Sequence, residues 1–187
     1  MPLQVAFSCS PRGNTIPYPP MRKRGRSNAG FFDLRDDPKG VGEIHEALGS
    51  PALRCLLESI AVSKRWMSLG CEIGSHVERK GSVRHYTGGY IQLINREPDR
   101  DDQGDDEEGY RQIAEAIAED IWSVARRCDW RLAFEVGEIA WRLDSSRHEP
   151  YALWIWFWAG APTERRAICR RERLIREIGA ALLSLMP

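Results

Sequence analysis

Tyr151-Ala-Leu-Trp-Ile-Trp-Phe-Trp158 is an apolar run in which tryptophans occupy every second position from Trp154 onward. Alternate side chains of a strand share a face. As a strand, the run therefore sets Trp154, Trp156 and Trp158 on one face and Tyr151, Leu153, Ile155 and Phe157 on the other. A strand that is apolar on both faces is normally covered on both, and a face left open is a place to bind something.

The preceding stretch, 132–143, has strand character and supplies a partner across the turn Asp144-Ser-Ser-Arg-His-Glu-Pro150. Pairing Leu143 with Tyr151 sets Trp141, Ile139 and Gly137 opposite Leu153, Ile155 and Phe157 on an apolar core face. The other face then carries Arg142, Ala140, Glu138 and Val136 beside Ala152 and the three tryptophans. On this reading the candidate binding residues are Trp154, Trp156, Trp158, Arg142 and Glu138. Arg142 stacked on Trp154 would form a cation–π contact worth about 0.5–1 kcal/mol at an exposed site.

Further out, helical and strand periods alternate. A short helical piece is expected from Gly42 to Leu48. Ser50-Pro51 supplies an N-cap with proline at the first helical position. Leu53, Leu56, Leu57, Ile60 and Ala61 follow at helical spacing, with the stop placed at Gly70. Residues 71–78 and 89–95 read as strands of a first hairpin, with Gly88-Gly89 as a turn signal. Glu107 and Glu108 favour the first turn of a long helix with the stripe Tyr110, Ile113, Ala114, Ile117, Ile121, Val124 and Ala125. Pro162-Thr163 opens a last helix with the stripe Ile168, Ile175, Ile178, Leu182 and Leu185. The order is α-ββ-α-ββ-α. The expected fold is α+β, an antiparallel sheet of about four strands from two hairpins packed with three main helices.

Residues 1–40 differ from the rest. They hold six of the 11 prolines and the basic run Arg22-Lys-Arg-Gly-Arg26. This composition reads as a disordered, basic, proline-rich tail, leaving 41–187 as a single domain. Met21 is a candidate alternative start.

Lysine plus arginine and aspartate plus glutamate each total 27 in 187 residues, a balance that argues against a general nucleic-acid or membrane coat. Five cysteines, none in a CxxC pair, fit a reducing compartment, and the expected location is cytoplasmic. No apolar run approaches the roughly 18 residues of a membrane helix. The N-terminus does not read as a signal peptide.

Catalytic signatures are thin. His76-Val-Glu78 matches half of the zinc deaminase pattern, but the required P-C-x-x-C does not follow. His76, Glu78 and His85 are weak metal candidates, read first as the wet face of a strand. Glu78-Arg-Lys80, with Glu58 and Glu72, is the acidic cluster plus lysine of a small metal-dependent nuclease, an alternative reading. Asp99-Arg-Asp101-Asp-Gln103-Gly104 begins like a calcium loop but has Tyr110 where the bidentate glutamate belongs. Neither a cofactor nor a metal is expected. Arg165, Arg166, Arg170, Arg171, Arg173 and Arg176 of the last helix exceed Glu164, Glu172 and Glu177. That helix and the basic tail are routes to nucleic acid, while a salt-bridged solvent face is the plainer reading.

The expectation is a non-enzymatic protein that binds a macromolecule, first of all another protein, as an immunity, inhibitor or accessory subunit does.

Overall fold

A computed structural model describes the chain except for residues 1–3, 11–14, 24–25, 29, 81, 97–105, 126–127, 144–148 and 186–187. Its strands are β1 (Gln4–Ser10), β2 (Thr15–Ile16), β3 (Met21–Lys23), β4 (Arg26–Asn28), β5 (Trp66–Lys80), β6 (Ser82–Asn95), β7 (Trp130–Glu138), β8 (Ala140–Trp141) and β9 (Tyr151–Ala161). Its α-helices are α1 (His45–Leu48), α2 (Pro51–Ala61), α3 (Glu107–Val124) and α4 (Glu164–Ser184).

The fold is α+β. Five strands form one sheet in the order β1-β7-β9-β6-β5, with β1 parallel to β7 and every other pair antiparallel. The long helices begin where capping chemistry places them. Ser50, Asp106 and Thr163 each accept a hydrogen bond from a backbone N–H in the first turn. Their apolar stripes, including Leu53 and Leu57 of α2, Ile117 and Ile121 of α3, and Leu174 and Ile178 of α4, pack on one face of the sheet. That face presents Leu132, Phe134, Leu153, Ile155 and Phe157, so the odd-numbered face of β9 is the main core.

Four expectations change. First, the helix from Pro51 stops at Ala61 rather than Gly70. The Ser63 hydroxyl accepts from the Arg65 and Trp66 N–H groups and turns the chain into β5, which claims Trp66 to Gly70. Second, Gly88 and Gly89 lie inside β6 rather than at a turn. Third, the stretch 132–143 is two strands. Ile139 leaves the ladder and donates to the Pro150 carbonyl (2.9 Å), while β8 pairs with β2. Tyr151 therefore stands opposite Glu138, not Leu143. The offset is odd, so β7 presents the other set of side chains to each face. The selecting term is burial: Leu132, Phe134 and Val136 stand opposite Phe157, Ile155 and Leu153.

Fourth, the segment expected as a tail contributes structure. β1 is the fifth strand of the sheet, and Phe7 stacks on Phe134 with ring centroids 5.4 Å apart. Ile16 is fully buried against the second face of the sheet with Tyr18 and Phe31 beside it. Arg24 and Gly25 of the basic run lie outside the described residues, as do the acidic stretch and calcium-like loop from Glu97 to Asp105 and most of the turn before β9.

Candidate functional site

The second face of the sheet carries the tryptophan ladder, and the pairings define its rows. Glu135, Trp154, Gln92 and Gly70 form one row, and Ala133, Trp156, Tyr90 and Glu72 the next. Arg131, Trp158, Gly88 and Gly74 follow, and then Gly160, Tyr86 and His76. Each large ring thus has fixed neighbours across the strands.

Cover over this face is graded. At one end Ile16, Met67, Leu69, Ile94, Ile139 and Trp141 close over Trp154, which is 7% exposed. Toward the other end Trp156 and Trp158 are only half-buried and the His76 side chain is 44% exposed. Tyr90 meets Trp156 at 4.8 Å between ring centroids. In the next row two positions are glycine, and a Cβ on Gly74 would have nothing within 4 Å. His76 and Trp158 lean across that gap and meet edge to face at 5.0 Å, while His76 also stacks on Tyr86 at 5.2 Å. Such ring pairs contribute about 0.5–1.5 kcal/mol beyond the area they bury.

The arginines on this face are paired with carboxylates. Arg131 lies over the Tyr86 ring, 4.2 Å from its centroid, and its Nη1 donates to Glu78 Oε1 at 3.2 Å. The Arg131 guanidinium holds Glu78 below the usual carboxylate range. Burial opposes this, and His76, 3.4 Å away, adds to the lowering. Arg84 reaches the buried carboxylate of Asp129 at 2.5 Å. Trp156 Nε1 donates to Glu135 Oε2 at 3.2 Å, which fixes the indole plane.

The sequence-derived candidates divide. Trp154, Trp156 and Trp158 share one face as expected, with Trp154 under cover. Arg142 is not beside Trp154. It follows β8, donating from its amide to Ile16 and from its guanidinium to the Trp141 carbonyl. Glu138 closes β7 opposite Tyr151, on the parity of the core face. The residues that frame the ladder are instead Arg131, Glu135, His76, Glu78, Tyr86 and Tyr90. Their signal in the sequence was the alternation of β5, β6 and β7, readable only with the register in hand.

Of the acidic cluster, Glu72 and Glu78 share the ladder face, but Glu58 sits on α2, across the sheet, paired with Arg54 at 2.9 Å. The side chain of Lys80 lies outside the described residues. His85 pairs with Val77 and so faces away from His76 and Glu78. Among the described residues no three His, Cys, Asp or Glu side chains gather as metal ligands do. Burial, with Glu46 adding to it, pushes the Cys71 thiol up to about 12, so it is not a nucleophile at neutral pH. No helix among the described residues is long and apolar enough to cross a membrane.

The arginines of α4 also divide. Arg171 is buried and bound to Glu172 at 2.5 Å, Arg170 donates to the Gly160 carbonyl at 2.6 Å, and Arg173 pairs with Glu177 at 3.4 Å. Comparison of the chain with family models, with curated proteins and with solved structures finds no match.

Proposed function

We propose that this is a binding protein, and that the open end of the ladder face is where it docks a protein partner. The observation that carries this reading is the graded cover. Three tryptophans follow one another on one face, and the one under Ile16 and Trp141 is buried while Trp156 and Trp158 are left half-open. Apolar rings at the centre and charged side chains at the edge make the usual plan of a protein interface, in which Trp, Tyr and Arg anchor most of the affinity. Arg131, Glu78, Glu135 and Glu72 form the polar frame.

Nucleic acid is the less fitting occupant. Aromatic platforms for single strands sit in basic grooves. Here Glu72, Glu78 and Glu135 face the ligand, and both Arg131 and Arg84 are engaged by carboxylates.

The test begins with a photo-crosslinking residue at position 158 in cells, followed by titration of the captured and purified partner. Trp158→Ala and Trp156→Ala are each expected to weaken binding by about 2 kcal/mol or more, roughly 30-fold, with an unchanged far-UV spectrum. Native affinity in both variants would overturn the reading, and so would crosslinks confined to nucleic acid.

A further inference from the structure

We propose that the ring pair Trp156–Tyr90, with Glu72 and Glu135 to its two sides, receives an arginine side chain of the protein partner. The inference rests on the docking reading above and names what the partner must present. The molecule holds a completed version of the same arrangement two rows along the sheet. There Arg131 lies over the Tyr86 ring, 4.2 Å from its centroid, and Glu78 holds the guanidinium at 3.2 Å. Arginines also cover Trp66, Trp130 and Trp141, at 5.3, 5.6 and 5.6 Å. Among the described residues none lies over Trp156 or Tyr90. Yet Tyr90 stands directly opposite Glu72 on one side and Trp156 on the other, and the two rings meet at 4.8 Å, tilted by 49°. Both rings are half-buried, so each keeps surface for a ligand.

Charge selects the occupant. Glu78 and Asp129 are matched by Arg131 and Arg84. Glu72, which is exposed, and Glu135 have no cationic partner among the described residues. The unmatched charge beside the ring pair is therefore negative. Glu135 accepts the Trp156 Nε1–H at 3.2 Å, which drives electron density into the indole and strengthens the attraction of its face for a cation. Burial first, and then the Glu72 charge, raise the Tyr90 hydroxyl above its usual value, with Cys71 and Glu46 adding to it. The field of Glu72 thus reaches the ring. Room is provided by small neighbours. A Cβ on Gly74, two residues from Glu72 on the same face, would meet nothing within 4 Å, and Ala133 flanks Trp156 in its row. A guanidinium suits this place better than an ammonium. Its plane stacks flat on an indole or phenol ring while its edge forks onto a carboxylate, whereas lysine offers a compact and strongly hydrated charge.

Two-dimensional NMR of the full chain, titrated with a capped glycine–arginine–glycine peptide, tests this. The Trp156 indole N–H resonance is expected to shift saturably at millimolar peptide. The citrulline analogue, similar in shape but uncharged, is expected to leave it in place, and the lysine analogue to bind about 3-fold or more weakly. Glu72→Gln is expected to weaken the arginine peptide about 3-fold or more. Glu119→Gln, which removes an equal charge from an exposed position of α3, is expected to change nothing. No saturable shift, equal binding of the citrulline or lysine peptide, or indifference to Glu72→Gln would each overturn the proposal. The captured partner separates this inference from the docking reading, since Glu72→Gln should weaken its binding by a similar factor. Unchanged affinity in Glu72→Gln, with Trp156→Ala still weakening binding, would overturn the arginine and leave the docking site standing. Unchanged affinity in both variants would overturn both.

Discussion

Gly88→Ala is expected to abolish the folded state or to destabilise it by roughly 3 kcal/mol or more, among the largest effects of any single added methyl group. A Cβ at this position would lie 1.9 Å from the Phe157 carbonyl oxygen and 2.7 Å from the Trp158 Cα. These are backbone atoms of the central strand β9, so no rotamer change relieves the clash. Relief requires β6 and β9 to part at the rung that holds Trp158. The neighbouring Gly89 is equally constrained from the other side, where a Cβ would meet the Glu72 carbonyl oxygen at 1.7 Å. Gly74 is the internal control. It stands opposite Gly88 in β5, yet a Cβ there meets nothing within 4 Å. Gly74→Ala is expected to change stability by less than about 1 kcal/mol, because it adds no clash and removes freedom from the unfolded chain. Urea unfolding followed by circular dichroism separates the two outcomes. Equal midpoints for the two variants would show that the strands can part at that rung without cost.

The same glycines mark what the sequence conveyed and what it withheld. Helix starts were legible because their signals are local: Ser50, the Glu107-Glu108 pair and Thr163 act within one turn, and the stripes repeat within each helix. The sharing of one face by Trp154, Trp156 and Trp158 was legible for the same reason. Register was not. It depends on Ile139 leaving the ladder to meet Pro150, a contact between residues that no short window joins. The wrong register then placed Ala140, Glu138 and Val136 where Glu135, Ala133 and Arg131 belong, and Arg142 where Gly137 belongs. Gly88-Gly89 resembles a turn by composition. A glycine pair inside an apolar strand pattern also signals close backbone approach, and here that meaning holds. The cover over Trp154 was hidden because Ile16, Tyr18 and Phe31 sit among prolines and a basic run whose composition reads as disorder.

Arg171 shows a further limit, and it leads to the other large expected effect. By composition it is one arginine of six in a charged helix. By spacing it belongs to the buried stripe, falling between Ala167 and Leu174, Ile175 and Ile178. The residue is 5% exposed, and its guanidinium contacts Glu172, Thr87 and the Gly49 carbonyl. Glu172 in turn accepts from the Ser50 hydroxyl at 2.7 Å and the Ala52 N–H at 2.9 Å, so a carboxylate from α4 closes the N-terminus of α2. Glu172→Ala would orphan that amide and leave Arg171 buried without its counter-charge. The expected cost is about 3–5 kcal/mol, a large share of the 5–15 kcal/mol that stabilises a typical domain. Glu172→Gln keeps an acceptor for the amide while withdrawing the charge, and about 1.5–3 kcal/mol is expected. Acid supplies an independent check. Burial pushes the Glu172 carboxyl up, but the hydrogen bonds from Ala52, Ser50 and Arg171 outweigh it and hold the group below 4.5. Its folded value being the lower one, the unfolded chain binds the extra proton between the two values, and stability falls as pH falls through that window. The contribution is fully present above 4.5 and lost beneath the depressed value. The stability gap between the native protein and Glu172→Gln should therefore narrow as the pH drops from 5 into that window. A gap that stays constant there would mean that the carboxylate charge does not hold Arg171 in place.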